Sequence, residues 1–451
     1  MSLSDRQRLW NTLLQPGGLD SADAAALERL ALLAEEQEIL LPLADQFLAA
    51  PACTELVAER VALRRGNHAR AVTQLREVDE ALRAAGVPFL VMKGFGYEHL
   101  QPAGYQRQMD DLDLVVPTVA DGWRAVAALA EIGYQVLAVT VARRDRSWFS
   151  VVALRDDQGR HTELNCAGLI FHSHSVLPWD SELWDDQETV REVGVPGRRW
   201  AAAILIAEML DRPRLRLRDR LDARAVLARL DDSDLAWLTE LAGRYALRWE
   251  LAAARDTGSD DVDREGNLWL RIRRRAPHAF RTVMHAYPIM RPAGRSQAVR
   301  AAGLAYGRDQ LGSRLEDDPD SDEVSDRLLT WASRVATVLN HRPAGRQLAA
   351  GISLPLVPLD ADDPAAPDDP AAPDDPGAPN DSAAPGDPAA PTRRVADQPA
   401  DGSEGITVHD TGRTLVLTTP VGAFLAVVVP VVTEAQVEQA VAALAATGPP
   451  R

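Results

Sequence analysis

One stretch of this chain cannot build a core, and its position dictates where folding must occur. From residue 356 to 404 the sequence runs through Ala-Ala-Pro-Asp-Asp-Pro units. Proline withholds backbone donors and neighbouring aspartates repel, so such a segment stays extended. Between 360 and 404 stand twelve Asp or Glu against two Arg, a net charge of −10. The full 451 residues carry 66 acidic and 49 basic side chains, net −17, which leaves the remainder near −7. Folding therefore falls to residues 1–355 and, on a smaller scale, to 405–451, with 356–404 expected to be a disordered linker.

Read in order, residues 1–85 form a helical region. Ser4 with Gln7 offers a capping box, 21–36 is Ala/Leu/Glu-rich, and Val72, Leu75, Val78 and Leu82 recur at helical spacing before Gly86. Residues 86–180 change texture. Pro88 to Met92 reads as a buried strand, Leu112 to Val116 as a second, and Trp148–Leu154 with His161–Cys166 as a hairpin turning near Gly159. Thr118 caps a helix lined by Val119, Trp123, Val126 and Ala130. Residues 181–355 return to helix, clearest at 201–210, 221–230 and 326–339. The expected fold is thus α/β (α+β): a small mixed sheet flanked by helical regions, then the linker. Residues 405–451 read as a small appended α+β module whose helix carries Val437, Ala440, Val441 and Leu444. That module is too short to fold alone with ease and is expected to dock on the body or on a partner.

Candidate chemistry concentrates between 88 and 166. Asp111 and Asp113 alternate on a strand, so their side chains share a face with Cα atoms roughly 6–7 Å apart. Carboxylates so placed can bridge two divalent cations, the geometry of phosphoryl and nucleotidyl transfer, with magnesium completed by substrate phosphates. Glu163 on a later strand offers a third carboxylate. Gly94 permits close backbone approach to a phosphate. Asp-x-Asp alone is weak, since acidic surface pairs are common. Lys93 adds weight, because the 49 basic residues comprise 48 arginines and this single lysine. A site that needs a compact ammonium is where Lys would resist replacement by Arg.

The run Phe89-Leu-Val-Met-Lys-Gly94, then Arg107 and Asp111-Leu-Asp-Leu-Val-Val116, resembles the uncharacterised nucleotidyltransferase family of the DNA polymerase β-like superfamily. The resemblance spans about residues 20–340, with specific motifs only at 88–166. It implies that Asp111, Asp113 and Glu163 hold two Mg2+ (or Mn2+) ions and that Lys93, Gly94 and Arg107 face the triphosphate of an NTP donor. It further implies transfer of a nucleoside monophosphate to an acceptor with release of pyrophosphate, Glu163 being available to take the acceptor's proton. Two positions depart from the family pattern: Asp110 stands where a small residue is usual, and the third carboxylate sits in Glu-Leu-Asn165 rather than Asp-Leu-His. The competing reading is a catalytically silent nucleotide-binding or scaffold protein whose C-terminal module recruits a protein partner.

Weaker candidates are His172 with His174, the arginines at 212–220 and 271–275, and Asp222, which matches a family helix and reads as a packing residue. Cys53 and Cys166 lack a histidine partner for thiol catalysis and exclude a disulfide scaffold. The acidic balance disfavours long nucleic acid as acceptor, leaving a small molecule, a peptide or a protein. The N-terminus lacks an apolar signal core, and the longest apolar run, Val421–Val432, is too short to span a bilayer. The expected setting is the reducing cytoplasm. A body ending near 355 is expected to retain nucleotide binding.

Overall fold

The unbroken helical texture of the first 85 residues becomes four helices, α1 (Leu3–Leu14), α2 (Ala24–Glu36), α3 (Ala44–Ala49) and α4 (Glu55–Ala84). The computed structural model describes residues 3–14, 18–101, 105–109, 111–144, 147–171, 175–211, 215–245, 247–256, 348, 353–359, 405–410, 414–427 and 434–447. Helix α1 starts at Leu3, so Ser4 lies inside it rather than at its cap. Asp23 caps α2 by accepting from the Ala26 N–H at 2.8 Å. Helix α4 buries Val57, Val61, His68, Leu75, Val78 and Leu82 along one stripe and stops at Gly86, whose φ of +64° suits glycine.

The chain then enters a nine-stranded mixed sheet. Its first strands are β1 (Leu90–Val91), β2 (Asp111–Val116), β3 (Gln135–Arg144), β4 (Ser147–Arg155) and β5 (His161–Cys166), with α5 (Gly94–Glu98) and α6 (Val119–Glu131) between them. Two small hairpins follow, β6 (Gly168–Phe171) with β7 (Ser175–Pro178), and β8 (Gln187–Val190) with β9 (Val193–Pro196), and α7 (Ser181–Asp185) separates them. Helices α8 (Arg198–Asp211), α9 (Leu217–Leu227), α10 (Asp232–Arg244) and α11 (Arg248–Asp256) complete the body, and β10 (Leu354–Pro358), β11 (Thr407–Asp410), β12 (Leu415–Thr419), β13 (Gly422–Ala426) and α12 (Glu434–Thr447) end it. The sheet order is β1-β2-β5-β4-β3-β10-β13-β12-β11, with β2 and β5 parallel and all other neighbours antiparallel.

Helices cover both faces. Leu75, Val78 and Leu82 of α4 and Trp123, Val126 and Leu129 of α6 pack on one face, against Leu112, Leu114, Val116 and Leu164. On the other, Val115 joins the α8 to α11 cluster through Trp200, Ile204, Leu238 and Leu251. A separate cluster ties α1 to α4 onto Leu217 and Leu221 of α9.

Four expectations change. Strand β3 is an addition, hidden in the sequence because its first half faces solvent and breaks the alternation. Residues 181–355 are not purely helical, since they hold β8, β9 and the start of β10. The linker cannot begin at 356, because Leu354–Pro358 is a sheet strand. Its prolines hide it, yet Pro355 stands opposite Thr140 of β3 while its carbonyl accepts from the Val427 N–H at 3.0 Å, and Pro358 stands opposite Phe424 of β13, positions near the strand's ends where a missing N–H is tolerated. Residues 405–451 dock on the body, one of the two outcomes expected of them. Leu415, Leu417 and Phe424 share a core with Trp123 and Val139. Ala130 is exposed, and Leu129 takes its place on the buried face of α6. The expected helix at 326–339 and the bulk of the proposed linker, 360–404, lie outside the described residues, as do Asp110, His172, His174, Arg212, Arg214 and 271–275. Among the described residues no helix is long and apolar enough to cross a membrane.

Candidate active site

Parallel pairing of β2 with β5 sets Asp113 beside Glu163 and Asp111 beside His161. Strand alternation turns Leu112, Leu114 and Leu164 into the core under α4 and α6. Asp111, Asp113 and Glu163 consequently share the opposite face. Asp111 is exposed, Asp113 is 5% exposed and Glu163 lies between. The Asn165 amide donates to Glu163 Oε1 at 3.0 Å, which fixes that carboxylate.

Lys93 stands at the sharp turn between β1 and α5, with φ +54° and ψ −119°, a conformation that L side chains rarely adopt. Strain of that kind persists where surrounding contacts over-determine it. Here they do. The Lys93 ammonium lies 2.9 Å from Asp113 Oδ1, 3.7 Å from Glu163 Oε1 and 2.8 Å from Glu208 Oε1. Burial works against its charge, but Asp113, Glu208 and Glu163 outweigh it and push the pKa well above the usual lysine value. Asp113 is pushed well above the carboxylate range, first by burial and then by Asp111, Glu163 and Glu208, against the pull of Lys93. Three carboxylates thus face one ammonium.

Glu208 is the residue that sequence reasoning missed. It projects from α8 after eight buried apolar residues, Trp200 to Ala207. A lone carboxylate in such a run needs a buried partner, and that was the available signal.

Arg107 is placed differently from the two aspartates. Its side chain is buried, with Nε and Nη2 at 3.1 and 3.0 Å from Asp222 Oδ2, and it lies over the Tyr97 ring at 5.6 Å. Burial disfavours the guanidinium charge, yet Asp222 outweighs it and raises the pKa. Asp222 therefore holds Arg107 as well as packing α9. Gly94 is also buried. A Cβ there would stand 2.7 Å from Met109 Sδ and 3.8 Å from Arg107 Nη1, so the glycine lets α5 close onto the Arg107 segment.

Among the described residues no three His, Cys, Asp or Glu side chains are arranged to hold a metal ion as they stand. The chemistry of the donor set nevertheless fits hard divalent cations. It is all carboxylate oxygen, on one sheet face, with more negative charge than Lys93 offsets.

A mixed sheet with an Asp-x-Asp strand beside a Lys-Gly turn, covered by helices on both faces, defines the nucleotidyltransferase class. Residues 24–256, 233 of the 451, match the family described as uncharacterised nucleotidyltransferase, and the chain belongs to it. Comparison with curated proteins gives no match. Among solved structures, the antibiotic-resistance factor ANT(2'')-Ia aligns at 15% identity over 42% of this chain and 96% of its own, with a TM-score of 0.28. An antigenic nucleotidyltransferase-like protein from Paracoccidioides brasiliensis aligns at 14% over 43% and 93%, TM-score 0.24. JHP933 from Helicobacter pylori aligns at 15% over 43% and 90%, TM-score 0.24. Likeness at that level transfers no residue role to this chain.

Proposed function

We propose that the chain moves a nucleoside monophosphate from an NTP to an acceptor, releasing pyrophosphate. The observation that carries this reading is the β2–β5 register, which aligns Glu163 with Asp113 and leaves Asp111 on the same face. Two Mg2+ (or Mn2+) ions held by Asp111, Asp113 and Glu163 would supply acidity to the acceptor and neutralise triphosphate charge. Asp113, buried at the centre, and Asp111, at the exposed mouth, would both hold the ions. Glu163, with its side chain 34% exposed, is open enough to take the proton of an acceptor hydroxyl. That oxygen bonds to the α-phosphorus as the bond to the pyrophosphate oxygen breaks. Lys93 places a point charge where negative charge gathers on the leaving group. Arg107 and Gly94 serve as the floor: Asp222 holds the guanidinium while Gly94 lets α5 seat against it. The acceptor is a small molecule, a peptide or a protein.

The test is divalent-dependent pyrophosphate release from ATP, CTP, GTP and UTP, with Asp113→Asn and Asp111→Asn beside the parent. Loss of about 100-fold or more is expected in each variant. The engagement of Arg107 by Asp222 and of Lys93 by three carboxylates favours one alternative, a catalytically silent nucleotide-binding scaffold. Release that is absent, or indifferent to both substitutions, would select it. If release is found, intact-mass analysis of cell extract incubated with each NTP identifies the acceptor.

A further inference from the structure

The Lys93–Glu208 contact carries an inference that rests on the metal-dependent reading and goes beyond it. The ammonium bridges carboxylates of two origins: Asp113 and Glu163 on the sheet, and Glu208 on α8 from the helical layer. An ammonium has three donors, and here three carboxylates surround it. Its side chain is 18% exposed and Glu208's is 11% exposed, so little water can substitute for either partner. The contacts to Asp113 and Glu208, at 2.9 and 2.8 Å, are nearly equal. A slight shift of Nζ would exchange one for the other.

We propose that Lys93 is a built-in cation holding Asp113 and Glu163 when no metal is bound, and that Glu208 is the positioning residue to which Lys93 withdraws when a divalent cation takes those two carboxylates. The charges require a refuge of this kind. A divalent cation beside Asp113 repels the ammonium, while burial of the Lys93 side chain, 18% exposed, leaves little room for a large retreat. Glu208 supplies a countercharge that belongs to neither sheet strand. The Tyr97 hydroxyl of α5 is buried and has no hydrogen-bond partner among the described residues, so the cleft floor beside Lys93 holds an unused polar group. Glu208 so placed also keeps Lys93 in the cleft, ready for the triphosphate.

The test reads metal binding and melting rather than turnover. Mn2+ affinity, by electron paramagnetic resonance on the full chain, is measured for the parent, Lys93→Met, Glu208→Gln and the double variant, with thermal melting in each case with and without Mn2+. Glu208→Gln should weaken Mn2+ about 10-fold, the usual effect of losing an outer-shell partner. Lys93→Met should bind Mn2+ more tightly than the parent. It should melt lower without metal and gain more from Mn2+ than the parent does. In the Lys93→Met background, Glu208→Gln should change affinity by no more than about twofold, the scatter of independent sites. An equal 10-fold loss in both backgrounds would make Glu208 a metal ligand and overturn the proposal, as would no loss in either. Weaker Mn2+ binding in Lys93→Met would also overturn it. A parent that binds no Mn2+ sinks the metal-dependent reading itself, an outcome distinct from all of these.

Discussion

Lys93 shows how one residue can be legible in composition and still incomplete until its neighbours are known. A single lysine among 49 basic residues, placed in a Lys-Gly turn, marked the position. Its three carboxylate partners form a cage that a compact ammonium fits. Arginine would keep the charge but must fit a planar fork into a cage sized for a point charge. Lys93→Arg should lower pyrophosphate release by about 100-fold, and turnover near the parental rate would return the lone lysine to chance. Asp111, Asp113 and Glu163 were readable because strand alternation and motif spacing agree. Glu208 was not, because its meaning depends on α8 bringing it to Lys93, a long-range contact that no local pattern encodes. Glu98 is another such case. It accepts from the Arg107 backbone at 3.0 Å, pairs with Arg191 at 2.8 Å and meets His68 at 2.9 Å. Burial alone would raise its pKa, but His68, the Arg107 N–H and Arg191 outweigh burial and hold it below the ordinary value of 4.5. A depressed carboxylate contributes stability above its unfolded pKa and loses it as pH falls through the folded one. Glu98→Gln should therefore cost about 1–3 kcal/mol at pH 7. Urea unfolding should show the gap to the parent shrinking as pH drops below the ordinary carboxylate value. A gap that stays constant into acid would remove ionised Glu98 from the account.

At the scale of elements, α6 decides how accurately β5 is held. Thr118 caps α6 as its sequence position predicts, accepting from the Asp121 N–H at 3.0 Å. The helix lies so close to the sheet that a Cβ on Gly122 would collide with Cys166 Sγ. The contact point is three residues from Glu163 on the same strand. Burial pushes the Cys166 thiol up to about 12, so this cysteine should be inert to a thiol reagent near pH 8 in the native protein. Only the partly exposed Cys53 should label before denaturation. Gly122→Ala should force α6 off β5, destabilise by about 1–3 kcal/mol and expose Cys166 to label. A variant that melts like the parent with Cys166 still protected would mean that the packing yields without moving the strand. The sequence marked α4, α6, β2 and β5 because each combines a clear period with a capping or turn residue. It concealed β3 and β10 because half-exposed and proline-bearing strands lose the alternation on which such reading depends.

The whole molecule is closed by its last strands. The acidic composition of 360–404 divides the sequence in two, but separation along the chain says nothing about autonomy in space. The 47 residues from 405 are too few to bury a core of their own, and the structure resolves this by docking. Strand β13 pairs with β10, β10 with β3, and Ile406, Leu415, Leu417 and Phe424 enter the core that holds Trp123 and Val139. Helix α12 adds Ala440 against Val416 and Leu425 on the other side. A covalent connection through 360–404 is not what holds this region in place. With a specific protease site inserted between residues 380 and 381, the cut chain should elute as one species and part only in denaturant. A chain ended at 355 would lose Leu356 to Pro358 and all of β11 to β13, stripping Val139 of β3 of its partner and leaving Leu354 and Pro355 as a two-residue remnant over Val141 and Thr140. That shortened chain is expected to melt lower and to associate through the bared edge, rather than persist as the stable body the composition suggests. Clean separation of the two cut fragments in native buffer, with an unchanged melting temperature for the larger one, would make the C-terminal strands dispensable and restore the sequence-based division.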